Sequence, residues 1–276
     1  MDSSLASPVT LDLFAIVLGL VIGSFLNVCI WRLPRDLSIV APRSFCPSCE
    51  RPIPWYENIP VLSYLLLRGK CRACGAPISL RYPLVEIGTA ALSWLVWRKY
   101  GASAGYPLYF AFAASLLLVS AIDLEHRIIP DVVSIPGAVI GLLYAGLSHF
   151  LHFAHLPSYV SFADSAIGVL AGGGSLYLVA FLYGAATGRE GLGGGDIKLM
   201  AMVGAFLGWK GALFSIFVGS LLGSVVGVAV MIVKKADGKL PIPFGPFLSG
   251  AALLYLAAGD RMIDTYWTLL GADGLP

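Results

Sequence analysis

The sequence predicts an all-α polytopic membrane protein with about eight transmembrane helices and one small polar loop module. Hydrophobic residues make up 58% of the 276 residues, charged residues only 12%, and the mean hydropathy is +0.83. Soluble domains carry about 25% charged residues, so this composition indicates an integral membrane protein. The apolar residues fall into runs of membrane-spanning length, and one long polar stretch interrupts them.

The first apolar run, residues 11–31, is long enough for one membrane crossing, which takes about 20 residues. No basic segment precedes it, so we expect a retained helix rather than a cleaved signal peptide. Gly19, Gly23 and Asn27 recur at spacing four on one face of this helix. Small residues at this spacing are typical of close helix contacts in membranes, and we expect Asn27 to serve packing more than chemistry.

Residues 32–81 form a polar stretch long enough for a separate module, and eight of them are Arg or Lys. Basic residues concentrate in cytoplasmic loops, which predicts that the module is cytosolic and that the N-terminus lies outside. The sequence therefore divides into three parts. These are a first transmembrane helix (1–31), the cytosolic module (32–81) and a seven-helix membrane domain (82–276).

Four cysteines of the module form two Cys-x-x-Cys pairs, Cys46 with Cys49 and Cys71 with Cys74, separated by 21 residues. Each pair can present two thiolates to one tetrahedral ion, and the spacing is close to that of zinc ribbons. Cytosolic thiols favour metal binding over disulfides. A site with four cysteine ligands has no open position for a substrate, so we expect structural Zn²⁺. Redox-active or idle thiols are the alternative.

The remaining apolar runs predict seven further helices, at about residues 83–98, 106–122, 132–150, 163–186, 196–209, 211–233 and 246–259. The distribution of basic residues tests this topology. If the module is inside, only four of the 18 Lys and Arg residues fall on the outer side: Arg98, Lys99, Lys210 and Arg261. The predicted topology is therefore self-consistent.

Two aspartates stand at the ends of apolar runs on the predicted cytosolic side. Asp123 follows the run 106–122, and Asp196 follows three glycines, Gly193–Gly195. Carboxylates at membrane level are costly, which makes both of them functional candidates. The helix from Gly195 to Trp209 spans only about 22 Å against a hydrocarbon core of about 30 Å. We therefore expect both aspartates at, or just inside, the cytosolic interface.

If Asp123 and Asp196 meet, the two carboxylates cannot both ionise easily, so one keeps its proton. The ionised carboxylate can deprotonate a water that attacks a peptide carbonyl, and the protonated one can donate to the carbonyl oxygen. Which aspartate holds the proton stays open, because such a pair titrates as a unit. Two unrelated carboxylates at helix ends are the alternative interpretation.

Three further charged residues lie near these features. Asp131, after Ile129-Pro130, is predicted to be a helix N-cap, and Lys198 is expected to pair with a carboxylate or to reach lipid headgroups. Glu86 lies inside the second predicted span. An intramembrane carboxylate is a functional candidate, although a buried partner such as a nearby arginine explains it equally well.

In combination, these residues resemble the bacterial type IV prepilin peptidases, which also serve type II secretion. The resemblance covers nearly the whole chain. It rests on Gly-Ser-Phe-Leu-Asn-Val at 23–28, both Cys pairs, Asn58-Ile59-Pro60, the segments 68–72 and 81–86, Asp123-Leu124, Ile129-Pro130-Asp131 and Gly193-x-Gly195-Asp196-x-Lys198. The Gly-x-Gly-Asp element alone is less specific, because presenilin-like intramembrane proteases also resemble it.

The resemblance implies a GxGD-type aspartic membrane peptidase with Asp123 and Asp196 as the catalytic pair. It implies that the basic leader of type IV prepilins or pseudopilins is cut after a glycine, at the cytosolic face of the bacterial inner membrane. It further implies that the new amino terminus is N-methylated with S-adenosylmethionine. The implied partners are these substrates and membrane lipid, with no nucleic acid.

The sequence does not locate a site for the methyl donor, because it contains no glycine-rich fingerprint for that cofactor. A rival hypothesis is an ion or metal transporter that uses Asp123, Glu86 and Asp196 as relay carboxylates. Transporters tend to place such charges at the bilayer midplane, whereas both aspartates are predicted at one side. A non-catalytic assembly scaffold is a third possibility.

Overall fold

The computed structural model describes residues 8–150, 160–188, 191–234 and 242–269, and within these ranges it contains helices but no strand. The helices are α1 (Pro8–Arg32), α2 (Leu62–Leu66), α3 (Arg81–Tyr100), α4 (Gly105–His126), α5 (Asp131–Phe150), α6 (Phe162–Val169), α7 (Ser175–Thr187), α8 (Gly194–Lys234) and α9 (Gly245–Leu269). A π-helical turn, Leu170–Gly174, joins α6 to α7 without a break. The predicted all-α fold class is confirmed.

Five helical stretches among the described residues are long and apolar enough to cross a membrane: α1, α4, α5, the α6–α7 run and α8. The apolar part of α8 covers 40 residues, about twice what one crossing needs. Its backbone leaves the helical region at Gly208, where φ is 69° and ψ is −177°, a conformation essentially restricted to glycine. Two consecutive segments result, and with α3 and α9 the number of long helical stretches agrees with the eight predicted.

The chain divides into two compact units, Met1–Ile122 and Asp123–Pro276. In the first unit α1 packs against α3 through its small residues. A Cβ atom on Gly19 would lie 2.5 Å from the Cα of Ala90, and one on Gly23 would lie 2.7 Å from the Cα of Glu86. The spacing-four face of α1 is therefore a helix contact, as predicted. The three-part division of the sequence at residues 31 and 81 stays a prediction.

In the second unit α8 is the central helix and packs against α5, α6, the π-helical turn and α9. Gly168 of α6 and Gly204 of α8 face each other so closely that a Cβ atom on either would overlap the other's backbone. Beside them, the hydroxyl of Ser165 donates to the carbonyl of Ala205 at 2.7 Å. These contacts fix the first segment of α8, which carries Asp196.

Candidate active site and metal centre

Asp123 lies in the last turn of α4, and its side chain is buried, with 5% exposure. Helix α4 ends because Arg127 adopts a left-handed conformation with φ of 57°. The N–H of Arg127 donates to the carbonyl of Asp123 at 2.9 Å, which is the αL type of helix termination. The chain then turns through Ile129 and Pro130 into α5.

Asp196 lies in the first turn of α8, and its N–H donates to the carbonyl of Gly193 at 3.1 Å. Of the three preceding glycines, Gly195 has the tightest surroundings, because a Cβ atom there would lie 2.8 Å from the Cβ of Ile129. A Cβ atom on Gly194 would meet only open space. Gly195 therefore lets α8 begin directly against the segment that leads from Asp123 into α5.

Asp123 and Asp196 line one open cavity, although 73 positions separate them in the sequence. The cavity holds about 1280 Å³ of empty space, including its open mouth, and its walls come from segments 127–131, 191–195 and 242–244. The structure thus brings together the two carboxylates that the sequence singled out.

A third element holds Asp123. The N–H of Gly245, the first residue of α9, donates to Oδ2 of Asp123 at 2.9 Å. A Cβ atom on Gly245 would lie 2.8 Å from the same oxygen, so the close approach requires glycine. Sequence reasoning missed this residue. Its signal is a glycine between Phe244 and Pro246, at the start of the last helix.

The bond from Gly245 restricts where the proton of the carboxylate pair can sit. A proton on Oδ2 of Asp123 would point at an N–H donor, so this oxygen is suited only to accept. The positive end of α9 also favours negative charge at Asp123. The proton is left with Oδ1 of Asp123 or with Asp196, and each carboxylate keeps at least one oxygen for a water or a substrate carbonyl.

An ion pair links α8 to α5 beside this cavity. The ammonium group of Lys198 donates to Oδ2 of Asp131 at 2.6 Å, and both side chains are about half exposed. This confirms the predicted carboxylate partner for Lys198. The N-cap prediction for Asp131 was wrong by one position. Helix α5 begins at Asp131 itself, because the carbonyl of Pro130 already accepts from the N–H groups of Val133 and Ser134.

Glu86 is buried in α3, with 7% exposure, and accepts a hydrogen bond from the N–H of Val61 at 2.7 Å. The backbone of the polar stretch thus supplies a buried partner for Glu86, the kind of explanation that the sequence left open. Val61 has a positive φ of 60° with a ψ of −48°, and its N–H is held by this bond to Glu86. This gives Glu86 a structural role within the first unit.

The four cysteines of the polar stretch form a compact cluster whose sulfur atoms all lie within 4.8 Å of one another. The sulfurs of Cys46 and Cys74 are 3.9 Å apart. Two sulfurs bound at about 2.3 Å to one tetrahedral zinc ion stand about 3.8 Å apart, so the cluster fits a metal of this size. All four thiols are free rather than joined in disulfides.

Each cysteine pair lies on its own backbone turn, and the two turns are of the same type. The N–H of Cys46 donates to the carbonyl of Arg51, and the N–H of Glu50 donates to the carbonyl of Cys46. The second turn repeats this pattern with Cys71, Ala76 and Gly75. The residue four positions after the first cysteine has a positive φ in both turns, 57° at Glu50 and 73° at Gly75.

The electrostatics of the cluster suit a cation. The N–H groups of Cys74 and Ala73 point at the Cys71 sulfur and lower the pKa of that thiol to about 6. The N–H of Ala76 acts in the same direction on Cys74, but desolvation and the neighbouring thiols outweigh it and raise the pKa of Cys74 to about 11. Several thiolates can coexist here only if a positive ion compensates their charge.

Comparison with known proteins identifies the family to which the chain belongs. Residues 17–100 match the bacterial peptidase A24 N-terminal domain, and residues 110–228, which include both aspartates, match the type IV leader peptidase family. A protein of Pseudomonas aeruginosa named "prepilin leader peptidase/N-methyltransferase" is 38% identical over 98% of both chains. Proteins of the same name from Pseudomonas putida and Aeromonas hydrophila are also 38% identical, over 93% and 91% of this chain and 94% and 91% of their own.

No solved structure matches the chain significantly. The sequence relatives cover nearly its full length, and the two family models match consecutive parts of it. The chain is therefore a multi-pass membrane protein that belongs to the type IV leader peptidase family.

Proposed function

We propose that this chain removes the leader peptide from type IV prepilins or pseudopilins and then N-methylates the new amino terminus. Asp123 and Asp196 are the catalytic pair. The relatives carry both activities in their name. The observation that carries the peptidase assignment is the single cavity that both carboxylates line.

The proposed reaction needs one ionised and one protonated carboxylate. The ionised one takes a proton from water, whose oxygen bonds to the carbonyl carbon of the scissile peptide, while the protonated one donates to the carbonyl oxygen. The C–N bond then breaks, and the leaving nitrogen receives the proton that the first carboxylate had taken. One hydroxyl of the tetrahedral intermediate returns its proton to the second carboxylate and becomes the carbonyl of the new carboxyl group. The bond from Gly245 suits Asp123 to the ionised role, since Oδ2 stays an acceptor throughout.

The methyl donor implied by the family is S-adenosylmethionine, which supplies an electrophilic methyl group. When bound, it would transfer this methyl group to the freed amino nitrogen, with release of a proton and S-adenosylhomocysteine. We place the protein in the bacterial inner membrane with the cavity facing the cytosol, because most basic residues fall on that side of the predicted topology. A reporter fused after Gly188 should therefore report the cytosol, and an external signal would reverse this orientation.

The cysteine cluster is proposed to hold a structural Zn²⁺ through Cys46, Cys49, Cys71 and Cys74. Metal analysis of the purified Cys71→Ser/Cys74→Ser double variant should show that zinc is lost. The matched control is Cys29→Ala, which changes the buried fifth cysteine outside the cluster and should keep its metal. Unchanged zinc content in the double variant would refute the site.

The catalytic pair is tested with the purified full chain and a prepilin, by following leader release on a gel. Asp123→Asn and Asp196→Asn keep the side-chain shape and should each abolish cleavage. Asp36→Asn is the matched control, because Asp36 is an exposed residue with φ of 53°, a conformation that asparagine tolerates. Retained cleavage in either active-site variant would refute the assignment. The transporter hypothesis is not favoured, since the family models and relatives are those of peptidases.

A further inference from the structure

Helices α1 and α3 form an antiparallel pair whose contacts set a scale of membrane depth in the first unit. At one end the guanidinium of Arg98 pairs with Asp12 at 3.3 Å. Toward the other end the side-chain nitrogen of Asn27 donates to the carbonyl of Tyr82 at 3.1 Å, and its oxygen has no partner among the described residues. Counted along α1 from Asp12, a hydrocarbon core of about 30 Å takes about 20 residues and ends at Arg32. Asp12 and Arg32 therefore lie near the two edges of the core.

Glu86 lies well inside this core. A Cβ atom on Gly23 would lie 2.7 Å from the Cα of Glu86, so the two residues are at the same depth. Gly23 precedes Arg32 by nine residues, which places Glu86 about 13.5 Å from that edge of the core. The side chain of Glu86 reaches about 5 Å from its Cα, and its hydrogen bond to the N–H of Val61 adds 2.7 Å. Val61 therefore lies about 6 Å or more inside the edge of the core.

Helix α2, which begins at the residue after Val61, has its polar side inside and its apolar side outside. Its three exposed leucines share one face at spacings of three and four and are Leu62, Leu65 and Leu66. On the other face Ser63 is buried, and its hydroxyl donates to the carbonyl of Tyr56 at 3.2 Å. A helix in water would turn its leucines toward the protein. The observed arrangement suits a surface in contact with lipid.

The residues on either side of α2 also fit a membrane interface. Before it, the exposed rings of Trp55 and Tyr56 contact each other edge to face, and both residue types are enriched at the level of lipid headgroups. After it, Arg68 and Lys70 are exposed, and basic side chains at this level can reach anionic headgroups. The segment between them, residues 58–67, contains no charged residue.

We propose that α2 inserts into the bilayer leaflet around the end of α1, with its three exposed leucines against the lipid acyl chains. Helix α3 exposes Leu84 and Ile87 at the depth of Glu86, so α2 adds to an apolar surface that already faces lipid. The hydrogen bond between Val61 and Glu86 sets the depth of the insertion. Part of the polar stretch 32–81 is thus a membrane anchor, which holds the cysteine turns against the bilayer.

The test places the photoreactive amino acid p-benzoylphenylalanine at Leu66 of the full-length protein, in nanodiscs of phosphatidylethanolamine and phosphatidylglycerol. Val21 is the reference position for lipid contact, because it is 54% exposed in the middle of α1. Glu50 is the matched control, because it is exposed in the first cysteine turn of the same polar stretch. After irradiation, mass spectrometry should find a yield of lipid adducts at Leu66 close to that at Val21 and about tenfold above that at Glu50, since an inserted apolar face contacts acyl chains.

Leu65, on the same face and 65% exposed, is the second position and keeps the proposal testable if the Leu66 variant fails to fold. A lipid yield no higher than that at Glu50, at either position in the folded protein, would overturn the proposal, because this face would then lie in water. Adducts to a second copy of the chain in place of lipid would also overturn it and would indicate a dimer contact. Neither result would affect the proposed cleavage, which uses none of these residues.

Discussion

Gly245→Ala is expected to slow leader cleavage while leaving the protein folded. The new Cβ atom would lie 2.8 Å from Oδ2 of Asp123, against about 3.4 Å for ordinary contact, so the carboxylate must retreat by about 0.6 Å. The N–H bond of 2.9 Å would then stretch to about 3.5 Å, the limit at which it ceases to be a hydrogen bond. A hydrogen bond to a charged group contributes about 1.5–3 kcal/mol of stabilisation.

This energy converts to a loss of about 10- to 150-fold, since each 1.4 kcal/mol changes a rate tenfold. We expect the loss in kcat rather than KM, because the bond acts on the reacting carboxylate and not on the leader. The assay is steady-state cleavage of a purified prepilin. Gly250→Ala is the matched control, since it changes a glycine of the same helix whose Cβ atom would meet open space. Cleavage by Gly245→Ala within twofold of the wild type would refute the role of this contact.

Three further substitutions test single features by thermal unfolding of the purified protein. Gly208→Ala forces alanine into a glycine-only conformation and should cost about 1–3 kcal/mol; an unchanged melting temperature would contradict the helix break. Glu50→Gly places glycine at a position of positive φ, where the second cysteine turn already has Gly75. It should stabilise the protein by about 0.5–1 kcal/mol, and a loss of stability would argue against equivalent turns. Lys198→Met breaks a half-exposed pair with Asp131 and should cost less than about 1 kcal/mol; a larger loss would indicate a wider network.

Much of the helical framework could be predicted from the sequence, because apolar runs and glycine spacing are local signals. The break between the two segments of α8 was expected near residue 210 and lies at Gly208. The cysteine cluster could be predicted equally well, since each pair occupies one short turn. In both cases a few adjacent residues determine the geometry.

Contacts between distant residues could not be predicted in this way. Gly245 and Asp123 are 122 positions apart, and only the packing of α9 brings them together. The three glycines before Asp196 look equivalent in the sequence, yet only Gly195 has a close neighbour within 3 Å. The unpaired oxygen of Asn27 is likewise a result of where α1 meets Tyr82. Such details depend on tertiary structure rather than on local pattern.

The paired cysteine turns have a consequence for proteolysis. A metal shared by both turns closes a loop of 21 residues between Cys49 and Cys71, a cross-link worth about 3 kcal/mol in chain entropy if it acts as a disulfide does. This loop exposes large apolar side chains, with Trp55 73% and Leu66 74% accessible. Chelation would open the loop and offer those residues to a protease such as chymotrypsin. If the cluster holds a metal as proposed, the rate of cutting between the two turns would therefore report its occupancy while the rest of the chain stays in the membrane.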